Sequence, residues 1–561
     1  MILKRSLLSL LAIPLALAAP AKRDDPTVTI SSPSGTIIGS AGKVESFNGI
    51  PFAQPPTGSL RLKPPQALDS SLGTFQATGA AKACPQFFFS TDTSEFPGSV
   101  VGKLINNPLF QTITNAGEDC LNLNIRRPQG TTPESKLPVL VWIFGGGFEL
   151  GSSAMYDGAP LVSSSIDLDM PIIFVAMNYR VGGFGFLPGK EVLADGSTNL
   201  GLLDQRLALE WIADNIADFG GDPEKVTIWG ESAGSISVFD QMLLYDGNIT
   251  YNGQALFRGG IMNSGSVVPA DPVDGVKGQA IYDAVVAHAG CSEASDTLDC
   301  LRELDYTDFL NAANSVPGIL SYNSVALSYL PRPDGKVLTD SPEALVQAGK
   351  YASVPFIVGD QEDEGTIFAL FQSNITTTDE LIEYLSEYFF YGASGDQFRE
   401  LVGTYETITT DGSPFRTGIL NNWYPQFKRL AAILGDLTFT LTRRVMLQMT
   451  ADIKPDVPSW SYLSSYDYGT PILGTFHGSD LLQVFYGILP NYASRSTHTY
   501  YFSFVYDQDP NSRRGEYMAW PQWKEDQKLM QFYANSGKLL KDDFRADTSE
   551  FLAKNIPSFH I

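Results

Sequence analysis

The segment Val226-Thr-Ile-Trp-Gly-Glu-Ser-Ala-Gly-Ser235 sets Ser232 in a Gly230-x-Ser232-x-Gly234 pattern, after a short apolar run and ahead of an apolar, helix-compatible stretch reaching Tyr245. Strand, tight turn and helix in that order present a serine hydroxyl on a strained corner, where it is able to attack a carbonyl. Small neighbours let the strand and helix approach without clash. In a chain with 51 glycines the pattern means little alone; its setting gives it meaning.

Attack on a carbonyl drives negative charge onto oxygen, and preorganised backbone N–H groups stabilise that charge. Gly145-Gly146-Gly147-Phe148 directly follows the apolar run VLVWIF at 139–144. The N–H groups of Gly146 and Gly147, with that of Ala233, are the expected donors. Dinucleotide binding is the rival use of such glycines, but Leu150 stands where its third glycine belongs. A phosphate loop around Gly189-Lys190 fails as well, with Phe184 in place of the first glycine and Glu191 after the lysine.

An activated serine needs a base, and the base needs an orienting acid. Of four histidines, His477 lies in the glycine-flanked loop Leu473-Gly-Thr-Phe-His-Gly-Ser-Asp480 and is the best placed. His288 reads as mid-helix, His498 as a surface residue between two threonines, and His560 as next to the last residue. For the acid, Asp360, Glu362, Asp363 and Glu364 all follow the apolar run Val354–Val358, and residue type does not choose among them. The chain order is serine, acid, histidine. The histidines show neither H-x-x-x-H nor C-x-x-C spacing, so no metal site and no cofactor are expected.

These residues need a frame. From Leu137 onward apolar runs at 139–144, 171–177, 226–229, 259–262 and 354–358 alternate with helical patterns, notably Leu202 to Ile216. Near-continuous apolar strands suit a mainly parallel sheet covered on both faces, an α/β class fold. The 561 residues are 43% hydrophobic and 12% aromatic, which excludes a disordered chain. A net charge of -24 argues against nucleic acid as a partner. No repeat or long linker divides the chain.

Lys4 and Arg5, an apolar run from Leu7 to Leu17, and the small residues Ala16, Ala18 and Ala19 read as an export signal. Lys22-Arg23 follows as a dibasic processing site. Residues 1–23 are therefore expected to be signal peptide and short propeptide, and 24–561 a single secreted catalytic domain with no transmembrane anchor. In an exported chain four cysteines imply two disulfides. Cys291 and Cys300 lie nine apart and would close a small loop, which leaves Cys84 with Cys120. Asn248-Ile-Thr and Asn374-Ile-Thr are N-glycosylation acceptors.

Together the segments resemble the type B carboxylesterase/lipase family, the cholinesterase-like branch of the α/β-hydrolases, and within it the fungal lipase and sterol esterase group. The similarity runs from Gly49-Ile-Pro-Phe-Ala-Gln-Pro-Pro56 through Glu118-Asp-Cys-Leu-Asn-Leu-Asn124, Gly145–Phe148, Asn178-Tyr-Arg-Val-Gly-Gly-Phe-Gly185 and Gly230–Ser235 to Trp520-Pro-Gln-Trp523. The resemblance implies a triad of Ser232, Glu364 and His477, the acid being the residue just before Gly365-Thr366. It also implies the pairings Cys84–Cys120 and Cys291–Cys300, and an acyl-enzyme route of ester hydrolysis.

The insert at 85–119, rich in phenylalanine, corresponds in similar lipases to a flap over the active site. Apolar spacing around Val100, Leu104 and Pro108 suggests one apolar helical face, suited to lipid aggregates and open to a homodimer through the flap region. Phe148 and Phe368, with the cluster Tyr388-Phe-Phe-Tyr391, are candidates to line the acyl or alcohol pocket. The expected substrates are long-chain lipid esters, including sterol esters and triacylglycerols. The alternatives are a carboxylesterase for short soluble esters and a non-catalytic cholinesterase-like binding protein.

Overall fold

The computed structural model describes residues 24–88, 100, 113 and 115–561. Most of the 85–119 insert, and with it the expected apolar helical face, lies outside them.

A ten-stranded sheet forms the centre. Its strands are β1 (Val44–Pro51), β2 (Asn122–Pro128), β3 (Leu137–Ile143), β4 (Ile173–Met177), β5 (Gly221–Glu231), β6 (Gly259–Asn263), β7 (Phe356–Gln361), β8 (Ser459–Ser464), β9 (Lys528–Phe532) and β10 (Gly537–Lys541). They lie in the order β1-β2-β4-β3-β5-β6-β7-β8-β9-β10. The strands from β4 to β9 run parallel, and antiparallel pairs close both edges. Thr27–Ser31, Ser34–Ile38 and Gly73–Gln76 form a separate, small three-stranded sheet.

The strands that read as continuous apolar runs are those buried on both faces: every residue of β4, β6 and β7 is buried. The covering helices include α1 (Leu200–Asn215), α2 (Ala233–Gly247), whose regular part ends before Leu244, and α3 (Tyr492–Asp507). A Cβ on Gly260 would meet Val238 and Met242 of α2, whereas one on Gly259 would meet Gln508 and Phe504 at the end of α3. Successive strand residues point to opposite faces, so α2 and α3 cover opposite sides of β6.

Expected strand positions agree with the structure while their limits shift. β5 begins at Gly221, five residues before the apolar run, and β7 extends to Gln361. Polar strand ends pair in the ladder without contributing to an apolar pattern. Both disulfides are formed, with Cα atoms 4.9 Å apart for Cys84–Cys120 and 5.9 Å for Cys291–Cys300. Among the described residues no helix is long and apolar enough to cross a membrane. No group of three or more His, Cys, Asp or Glu side chains among them is placed to hold a metal ion.

Candidate active site

The parallel strands deliver their C-terminal ends to one edge, where open α/β sheets hold ligands. β5 ends at Glu231 and α2 starts at Ala233, leaving Ser232 alone on the corner at φ 58° and ψ -128°. Such a conformation costs a non-glycine residue of order 1–3 kcal/mol and persists where packing fixes it. The packing is tight here. A Cβ on Gly230 would lie 2.2 Å from the Gly234 carbonyl oxygen, and one on Gly234 would lie 2.0 Å from that of Ile143. The two flanking glycines are therefore required by contact, and the Ser232 N–H donates to Asn263 of β6 at 2.9 Å.

After β3 the chain turns through Gly146 (φ 119°), Gly147 (φ 62°) and Phe148 (φ 58°). Gly147 sits where a Cβ would strike Ile319 at 2.6 Å. Neither the Gly146 nor the Gly147 N–H is engaged with another backbone carbonyl among the described residues. Ala233 opens α2, so its N–H has no acceptor within the helix. All three expected donors thus border Ser232 and remain free for a ligand.

Geometry separates the four candidate carboxylates. Asp360 faces Arg443 at 2.7 Å, and Glu362 pairs with Arg416. Asp363 accepts from Ser413 Oγ (3.0 Å), the Phe415 N–H (2.7 Å) and the Thr475 N–H (2.9 Å). Only Glu364 reaches the histidine, with Oε2 2.6 Å from His477 Nδ1. Asp363 instead fastens the histidine loop to the acid loop.

His477 and Glu364 are both buried to 1% exposure. Burial pushes the imidazole down to about 4, against the pull of Asp480 and Asp360, and thereby favours its neutral form. Burial pushes the Glu364 carboxyl up to about 8, with Ser264 and the Gln361 N–H, at 2.6 Å, pulling in the opposite direction. The imidazole packs against the tilted rings of Phe368 and Phe439, with centroids 5.0 and 4.5 Å away. His477 Nε2 has no hydrogen-bond partner, so no bond to Ser232 is formed. Such bonds commonly tighten only when substrate is present.

Ser232 lies between two narrow, largely apolar chambers. One holds Gly146, Ile319, Phe368 and His477; the other runs inward past Phe148, Ala233, Ile236 and Phe439. Phe148 and Phe368 thus line different chambers beside the serine. Of the aromatic cluster at 388–391, Phe390 lines a separate cavity further in.

Two site residues carry no sequence signal of their own. Glu231 precedes the serine, is fully buried, and has no hydrogen-bond partner on either oxygen. Glu149 accepts from the Ile319 N–H at 2.7 Å and ties the glycine loop to the chamber wall. Burial pushes its carboxyl up to about 8. His498 is corrected: it belongs to α3, half-buried, with Nδ1 2.9 Å from Ser164 Oγ and Nε2 against the Val484 carbonyl. His288 is the last residue of its helix, Val276–His288, rather than mid-helix. Asn248 and Asn374 are exposed.

The geometry has counterparts in known proteins. Residues 24–551 match the model of the carboxylesterase family. The chain belongs to that family. This esterase is 64% identical over 539 residues to secreted lipase 1 of Botryotinia fuckeliana, covering 96% of this chain and 94% of the relative. It is 63% identical to a secreted triacylglycerol lipase of Gibberella zeae, covering 97% and 93%. The crystal structure of Aspergillus niger EstA superposes with a TM-score of 0.79 at 26% identity, over 96% of this chain and 99% of that one. The esterase is an extracellular carboxylic ester hydrolase with the α/β-hydrolase fold.

Proposed function

We propose that this esterase hydrolyses long-chain lipid esters, triacylglycerols and sterol esters, through an acyl-enzyme on Ser232. The carrying observation is the meeting of two apolar chambers at Ser232, beside the 2.6 Å contact of His477 with Glu364. A relative at 63% identity is named a triacylglycerol lipase, which supports the same substrate class.

In this reading the Nδ1–H of His477 donates to Glu364, which leaves the Nε2 lone pair facing the serine chamber. Nε2 takes the Ser232 proton as Oγ attacks the ester carbonyl carbon. The N–H groups of Gly146, Gly147 and Ala233 hold the resulting oxyanion, and electrostatic stabilisation of this type is the largest single contribution to such reactions. Collapse of the tetrahedral species expels the alcohol, which receives the proton from His477. Water then repeats the sequence and releases the fatty acid.

The proposal includes export with loss of residues 1–23, leaving 24–561 as one catalytic domain; the family match starts at residue 24. N-terminal sequencing of the secreted protein tests that cleavage. The homodimer through the flap region concerns residues outside the described set and forms no part of the proposal.

The function is tested by hydrolysis of triolein, cholesteryl oleate and a soluble butyrate ester, with Ser232→Ala as control. Turnover of both lipid esters, abolished in the variant, is expected. Activity confined to butyrate makes the protein a short-chain carboxylesterase, and activity surviving in Ser232→Ala removes the serine from the mechanism.

A further inference from the structure

The far end of the sheet carries a cavity of about 290 Å³ that shares no lining residue with the serine chambers. Its floor follows from strand register. Leu463 of β8 stands beside Gln531 of β9, which in turn stands beside Lys538 of β10. Leu540, two residues further along β10, belongs to the same face. Two segments wall this floor, Phe415-Arg416 and Phe544-Arg545, and Tyr533 and Glu362 complete the lining. The parallel strands β8 and β9 end here, on the side of an open α/β sheet where ligands bind.

Cations and aromatic rings alternate around the cavity. The Arg416 guanidinium lies 4.1 Å from the centre of the Tyr468 ring and 5.9 Å from that of Tyr533, and Lys538 Nζ lies 5.0 Å from Tyr533. The Arg545 guanidinium lies 4.4 Å from the Phe415 ring and 4.7 Å from that of Phe544. Both arginines use only one edge of the fork on a carboxylate. Nε and Nη2 of Arg416 meet Glu362, and the same atoms of Arg545 meet Asp436 at 2.6 and 2.7 Å. Among the described residues Nη1 of each makes no hydrogen bond, and Lys538 has no ion pair. Three cations against two carboxylates leave this cavity positive in a chain of net charge -24.

Two further features point to a ligand. Arg416 and Arg545 both take left-handed backbone conformations, at φ 64° and 50°. Such strain costs of order 1–3 kcal/mol per residue and gathers at ligand clamps. Gln531 is buried, and its amide donates from Nε2 to Ser465 Oγ at 2.8 Å while Oε1 has no partner. A hydroxyl both donates and accepts, so this amide can turn to bond Ser465 through its oxygen and offer N–H to an anion.

We propose that the cavity binds one amphiphilic carboxylate, held at its headgroup by Lys538 and the free edge of Arg416, and along its chain by Leu540, Phe415 and Phe544. An inorganic anion would leave those apolar side chains uncovered, and an uncharged lipid would leave Lys538 unpaired. The fatty acid that ester hydrolysis releases has the required form.

The experiment is calorimetric titration of decanoate, below its aggregation limit, into the full secreted protein with its serine chambers blocked by a p-nitrophenyl alkylphosphonate. One decanoate is expected per protein, with 1-decanol and decyltrimethylammonium weaker by about tenfold or more. Lys538→Glu reverses the charge at the headgroup, and Tyr533→Ala removes the ring that Lys538 and Arg416 share. Each is expected to weaken decanoate binding by about tenfold or more. Lys538 is exposed and outside the catalytic machinery, so hydrolysis of a butyrate ester by unblocked Lys538→Glu should match the parent and show that the variant folds. Absence of decanoate binding, equal affinity for 1-decanol, or unchanged affinity in Lys538→Glu overturns the proposal. Binding confined to phosphatidylcholine vesicles loaded with oleic acid overturns it too, because the patch would then be a surface contact with lipid. A phosphonate that fails to inactivate the protein counts against the Ser232 chemistry instead, and the Lys538→Glu comparison then decides the cavity alone.

Discussion

Glu231 Oε1 lies 3.4 Å from His477 Nε2, and neither atom has a hydrogen-bond partner. A buried, unpaired carboxylate would draw a proton onto the imidazole and disable the base. Burial, reinforced by Asp480 and Glu364, instead pushes Glu231 well above the usual carboxylate range, which favours its neutral form.

The first prediction follows from that neutrality. Glu231→Gln keeps shape and charge state, so kcat/KM is expected to stay within about tenfold of the parent. The acid limb of its pH profile should not move. A limb displaced downward by a unit or more would mean that an ionised Glu231 had been supporting protonated His477, contrary to this account.

The base itself sets the second prediction. As the proposed base His477 works only when neutral, and burial pushes its pKa down to about 4 from the ordinary value of 6.5. Sign and window follow: the neutral form predominates above the folded pKa, so activity persists through pH 5 to 6 and is lost as pH falls through about 4. An initial-rate profile on a soluble ester checks this, and a midpoint near 6.5 would refute the desolvated imidazole.

Asp363 gives a third. Three buried or half-buried donors, Ser413 Oγ and the N–H groups of Phe415 and Thr475, end on this one carboxyl. Asp363→Ala strands them and unfastens the histidine loop. Stability should fall by about 3 kcal/mol, and kcat should fall as well because His477 lies two residues beyond Thr475. Denaturant unfolding together with steady-state kinetics reads both; unchanged kcat in a destabilised protein would confine Asp363 to a structural role.

The sequence made the serine corner, the glycine loop and the central strands readable because each carries a local signature. Gly230 and Gly234 are there because strand and helix touch, and that constraint is written within five residues. The strands β3 to β7 are apolar because both faces are covered. The acid was readable by chemistry only as one of four carboxylates, for Asp360, Glu362 and Asp363 differ from Glu364 in partners that come from residues 413–475. Glu149 and Glu231 depend on burial and on contacts with residues far along the chain, Ile319 and His477. His498 misled because two flanking threonines look polar, while its helix turns the imidazole against Ser164 and Val484.

The final prediction concerns His560. His560 contacts Glu343 and Asp271, and although burial opposes its charge, these partners raise its pKa to about 9. A histidine whose folded pKa exceeds its unfolded value of 6.5 contributes stability that is fully present below 6.5 and disappears as pH rises through about 9. The site is partly open to solvent, so screening reduces the contribution to about 1 kcal/mol. His560→Ala should therefore destabilise the protein by about that amount at pH 6 and have little effect at pH 10. Chemical denaturation at the two pH values decides it. An equal loss at both would show that His560 acts through packing, and that charge plays no part in its contacts with Glu343 and Asp271.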